Sequence, residues 1–260
     1  MDDLEKANLT AIRRLNQRGG RFLTVTDLLE AKTLSQRMLK FLVRRIWLGD
    51  SLLAAAGPSG TGKTTLMGAL LNLIPPGLEI RTAERGNTLP KPRQGYRPLY
   101  LAHELNDAPY YGYIWGREAR HFLQAARSER IAATLHAESL KGIRDKLLKQ
   151  PVGLEKPEFN SLDLIVTMKM NRSGRQTVRK IHRVHESAED GHREVFRWDP
   201  DKDEYRVTAE GVFEKTDSRP FDGLDLEGFI ESLSDEKPRR LEEVRELLLD
   251  HVTETDEGKS

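Results

Sequence analysis

Gly57-Pro58-Ser59-Gly60-Thr61-Gly62-Lys63-Thr64 matches the pattern G-x-x-x-x-G-K-[ST] at every position. Before it lies a continuous apolar run, residues 51–56, as a buried parallel strand requires. After it, residues 64–73 are apolar enough for a helix packed on a sheet, and Pro75, Pro76 and Gly77 stop that helix. Glycines let backbone N–H groups turn inward around an anion, and the helix adds its positive end. The Lys63 ammonium can reach β- and γ-phosphoryl oxygens, and the Thr64 hydroxyl can ligate Mg²⁺. Residues 57–65, Thr65 included, are therefore the candidate nucleotide-binding segment. A chance match in a glycine-rich turn is the bland alternative, and the strand before and helix after argue against it. The pattern alone does not separate ATP from GTP, or a motor from a kinase.

The rest of the chain supplies a matching order of elements. Residues 1–20 are polar and predict a short, loosely held helix. Residues 24–31 read as a strand end and then a helix capped at Thr26 or Asp27. Ser35 caps a clearer helix on which Met38, Leu39, Leu42, Ile46 and Trp47 recur at helical spacing. Residues 78–83, 99–103, 131–135 and 162–168 read as strands, and 117–128 and 139–148 as helices. Residues 85–98 form an exposed loop, and 106–116 are aromatic and irregular. Residues 177–185 and 194–198 predict a closing pair of strands. Such an order predicts an α/β fold, a mostly parallel sheet with helices on both faces. Three regions are expected: a helical lead-in over 1–50, the P-loop domain over 51–215, and a tail over 216–260. In the tail, residues 223–233 and 239–252 read as amphipathic helices split by Pro238, and residues 253–260 as a frayed end.

Composition removes whole classes of function. The chain has 260 residues, enough for a real core, and no cysteine, which excludes disulfides, thiolate metal sites and thiol nucleophiles. Its 42 basic and 41 acidic residues leave a net charge of +1, so no global field draws in nucleic acid, and none is expected as a partner. The start lacks a basic, apolar leader and no run is long enough to span a bilayer, which predicts a cytoplasmic protein. His182, His185 and His192 suggest metal only by number, since 182 and 185 face opposite sides of a strand.

Reading outward from the loop, the chain resembles the secretion-motor ATPase superfamily, the hexameric ATPases of type II and type IV secretion, type IV pili and the archaellum. Phe22-Leu23-Thr24-Val25-Thr26-Asp27-Leu28-Leu29 looks like the segment before that motor core. Ile80-Arg81-Thr82-Ala83-Glu84 is similar to the strand and glutamate of the acidic box. Ala133-Thr134-Leu135-His136-Ala137-Glu138-Ser139 is similar to the His box. Weaker matches lie at 162–166, at Gly174-Arg175 and at 195–200, so the resemblance covers about residues 22–212. It implies a RecA-like P-loop fold that uses ATP and Mg²⁺. Glu84 would assist as base and His136 would sense the γ-phosphate; on spacing alone a hydrogen-bonded core histidine is the commoner reading of His136, and the whole Thr134–Ser139 string favours the sensor. It further implies a homo-oligomer, a hexamer, working with a membrane platform protein, and leaves open a peripheral position at the inner face of the membrane.

Two departures qualify this. Only about twenty polar residues precede the matched region, where the family has a separate N-terminal domain. The Walker B segment is altered: Arg97-Pro98-Leu99-Tyr100-Leu101-Ala102-His103-Glu104 carries His103 in place of glycine. Alternatively Gly112-Tyr113 takes that place and the acid has become tyrosine. Glu104 is preferred, because an acid closing an apolar strand is what Mg²⁺ and a water molecule need. Arg85, Arg93 and Arg97 are unranked candidates to meet the γ-phosphate. Tyr110, Tyr111, Tyr113 and Trp115 form either a partner-binding loop or a lid. The reading is an ATPase that drives assembly or transport at a membrane machine. Its rivals are an ATP-binding regulatory or scaffold protein with little turnover, and another P-loop NTPase.

Overall fold

Strand side chains alternate between faces, and here both faces are apolar, so the sheet must be covered twice. The computed structural model describes residues 1–16, 19–173, 176–209 and 223–253. Five parallel strands form the centre: β1 Leu52–Ala56, β2 Leu78–Thr82, β3 Arg97–Ala102, β6 Arg130–His136 and β7 Leu164–Ser173. Two short strands, β4 Glu104–Leu105 and β5 Tyr113–Ile114, form a separate parallel ladder. Antiparallel strands β8 Gln176–Ala188, β9 Gly191–Asp199 and β10 Glu204–Val207 extend the main sheet. Its order is β10-β9-β8-β7-β1-β6-β3-β2, with the loop strand β1 central and β2 at an edge.

Leu52, Ala54 and Ala56 face one layer and Leu53 and Ala55 the other. Helices α1 Asp3–Arg14, α2 Val25–Glu30, α3 Gln36–Trp47, α4 Lys63–Leu71, α8 Leu226–Glu236 and α9 Leu241–Asp250 belong to the first layer. The second holds α5 Arg117–Gln124, α6 Leu140–Leu148 and α7 Lys156–Asn160. This is the α/β architecture with helices on both faces that the sequence predicts. No helix among the described residues is long and apolar enough to cross a membrane.

Three local readings need correction. The first helix is firmly held: Leu4, Leu9 and Ile12 are buried, Asn8 Nδ2 donates to the Leu78 carbonyl at 2.8 Å, and Ile80 N–H donates to Asn8 Oδ1 at 2.9 Å. Its charged face hid this from a polarity argument. Residues 24–31 contain no strand; Thr24 is the N-cap of α2, and Asp27 at the third helical position closes a capping box back to it. Helix α7 and strand β10 are too short for periodicity to reveal. The tail helices are present on either side of Pro238, and they share the core of the lead-in. The expectations for residues 17–18 of the first segment, Gly174-Arg175, the 215/216 boundary and residues 254–260 lie outside the described residues.

Candidate nucleotide site

Strand β1 delivers the chain into the loop, and α4 begins at Lys63, with Gly62 as its N-cap. Gly60 (φ 81°) and Gly62 (φ 103°) both lie in the left-handed region that L side chains avoid. Thr61 is buried, and its hydroxyl donates to the Pro58 carbonyl at 2.7 Å, which closes the loop on itself. The loop borders a cleft of about 550 Å³ lined by Ser59, Gly60, Gly62, Lys63, Thr64 and Thr65.

Glu104, His136 and Tyr113 reach the same cleft from neighbouring strands. Lys63 Nζ lies 3.7 Å from Glu104 Oε2 and 3.4 Å from both ring nitrogens of His136. Burial pulls the Lys63 pKa down, and the Glu104 carboxylate opposes that shift. The Thr134 hydroxyl contacts Glu104 Oε2 at 2.7 Å and the His103 carbonyl at 2.6 Å, which fixes the carboxylate. His136 Nδ1 lies 2.9 Å from the Gly57 carbonyl. The Thr134 and His136 side chains share one strand face, two residues apart.

The two candidates for the acidic position stand side by side. Glu104 and Tyr113 are register partners in the β4–β5 ladder, and both line the cleft. The aromatic loop thus contributes a wall, Tyr113, while Tyr110 and Tyr111 remain exposed and Arg14 lies over the Tyr111 ring. His103 is buried against Tyr111, and burial with the Arg14 charge holds its pKa at about 4.

Other candidates are elsewhere. Glu84 is exposed in a tight turn with Asn87, outside the cleft lining. Arg85 is held by Asp107 and the Ala108 carbonyl, and Arg93 by Glu79 at 2.7 Å. Arg97 is exposed at the start of β3, and none of the three lines the cleft. Sequence reasoning missed the other walls. Leu15, Leu23, Asp27, Leu28 and Ala31 come from the lead-in, and Met168, Val178 and Arg179 from β7 and β8. Leu23, Asp27 and Leu28 lie in the 22–29 string, which gave no sign of a place at the cleft; the others carry no local signature, because topology alone brings them to the loop.

The residues present fit a nucleotide with Mg²⁺. Gly60 and Gly62 take the positive φ that a phosphate-cradling turn needs, and Glu104 Oε1 is buried with no hydrogen-bond partner among the described residues. An orphaned carboxylate oxygen beside Lys63 suits a hard cation.

No family model matches the chain. It is 28% identical over 214 residues to an uncharacterized protein of Methanocaldococcus jannaschii, a match over 71% of this chain and 78% of that one. It is similar to the VirB11 ATPase from the Brucella suis type IV secretion system, solved in complex with sulphate. Identity there is 22% and the TM-score 0.39, over 70% of this chain and 62% of that one. It is also similar to the Legionella pneumophila ATPase DotB, at 15% identity and a TM-score of 0.38, over 87% of this chain and 58% of that one. The chain thus spans about three fifths of each solved protein's length.

Proposed function

We propose that this chain binds ATP with Mg²⁺ at residues 57–65 and hydrolyses it, as a motor for assembly or transport at the cytoplasmic face of a membrane machine. The carrying observation is the meeting of Lys63, Glu104 and His136 within 4 Å of one another beside the glycine-rich loop. The loop N–H groups and Lys63 would hold the phosphates, and Thr64 with Glu104 would hold the metal. When bound, Mg²⁺ would neutralise charge on the β- and γ-oxygens. Glu104 orients the attacking water, and His136 reports on the γ-phosphate from the end of β6. Because Glu84 stands outside the cleft, Glu104 carries the acid–base work alone. The motor role rests on the resemblance of the loop and the Thr134–Ser139 string to secretion-motor ATPases, which also motivates a hexamer and a membrane platform partner.

The exposed position of Glu84 favours a second reading, a nucleotide-binding regulatory protein with little turnover. Steady-state phosphate release separates the two. Under the motor reading Glu104→Gln keeps ATP bound and cuts release by about 10²-fold or more, since charge and water positioning are lost together. Nucleotide binding with no release by the wild-type protein would leave the regulatory reading standing.

A further inference from the structure

We propose that Arg179 is a phosphate-binding residue of the nucleotide site, supplied from within the same chain on the side of the loop opposite Glu104. The inference rests on the nucleotide reading above. Arg179 sits on β8, opposite Met170 of β7, and lines the cleft beside Gly60 and Gly62. Its Nε–H donates to the Gly60 carbonyl at 2.9 Å, which ties the guanidinium to the tip of the loop. Its side-chain stem runs past Gly62, where a Cβ would lie 3.4 Å from Arg179 Cδ.

The charge around it makes the case. On the same antiparallel strands, Lys180 pairs with Asp203, Arg183 and Arg197 with Glu194, and Arg193 with Glu186. Arg179 has no carboxylate partner among the described residues, and its terminal N–H donors make no hydrogen bond among them either. Four further donors of a planar guanidinium therefore remain available at the cleft beside Gly60 and Gly62, an arrangement suited to phosphate oxygens. The site needs that charge. Lys63 is already offset by Glu104 at 3.7 Å, so the two contribute little net charge toward a polyanion. Arg85 and Arg93 are engaged with Asp107 and Glu79.

The test is calorimetric titration of the full chain with Mg·ADP and, separately, with inorganic pyrophosphate, for the wild type, Arg179→Ala, Arg179→Gln and Arg179→Lys. Loss of a charge-assisted contact predicts about ten- to a hundredfold weaker binding of both ligands to the Ala and Gln variants. The Lys variant should recover part of the loss and show the steeper salt dependence of the wild type. Unchanged ADP affinity in Arg179→Ala overturns the inference. So does a loss confined to ADP with pyrophosphate unaffected, which would place Arg179 on the base or ribose. Lys63→Ala serves as the control on the site itself. If the wild type binds no ADP, or Lys63→Ala binds it as well as the wild type, the nucleotide reading has failed and Arg179 falls with it.

Discussion

At the scale of single residues, the buried histidines tie stability to acidity. His103 and His185 are 2% and 5% exposed, and burial lowers each to about 4 from the usual 6.5. Both are therefore neutral in the folded state where the unfolded chain is already protonated. The unfolded state binds the extra proton between pH 6.5 and 4, so stability is full above 6.5 and declines as pH falls through that window. The decline approaches about 3 kcal/mol for each histidine, at 1.36 kcal/mol per pKa unit. Urea unfolding at pH 7 and pH 4.5 measures it, and His185→Leu should flatten part of the slope; equal stabilities at the two pH values would contradict the account. What could be read in advance also divides at this scale. Lys63, Thr64, Glu104 and His136 were legible because each belongs to a short string whose spacing reflects one local conformation. Arg179 and Met168 were not, because strand order alone brings them to the cleft, and neither was Leu28, which arrives through the packing of α2.

At the scale of elements, α1 closes an exposed edge. Strand β2 ends the sheet, and an edge strand presents unpaired N–H and C=O groups. Asn8 takes one of each, the Leu78 carbonyl and the Ile80 N–H, with its single amide side chain. Removing it leaves two buried backbone groups without partners, at about 1–3 kcal/mol apiece. Asn8→Ala is expected to lower the free energy of unfolding by about 2–6 kcal/mol and to raise aggregation on warming, read by denaturant titration and light scattering. A loss under 0.5 kcal/mol would mean that α1 is not what protects the strand. The polar composition of residues 1–20 concealed this role, since the helix is anchored by an amide and by three widely spaced apolar residues. The strands around the loop were legible for the opposite reason: both faces are buried, so their apolar runs are continuous.

At the scale of the whole molecule, lead-in, sheet and tail form one body, and the question becomes whether one body suffices. Arg179 lines the cleft from the β8 side of the loop, and no arginine of the 85–98 segment adds its charge there within the chain. A neighbour in a ring would supply that charge by repeating one heterologous interface until it closes. Light scattering with a non-hydrolysable ATP analogue, at about tens of micromolar protein, is expected to show assembly. A strict monomer with full ATPase activity would end the ring reading. The same unity joins the two ends of the chain. Arg245 of α9 donates to both carboxylate oxygens of Glu5, at 2.6 and 2.7 Å, and to the Ile74 carbonyl at 2.5 Å, with both side chains buried. The partners stand 240 positions apart. A ribosome adding about 5–20 residues per second therefore emits Glu5 on the order of tens of seconds before Arg245 exists. During that interval the first helix carries a buried-to-be carboxylate without its counter-charge.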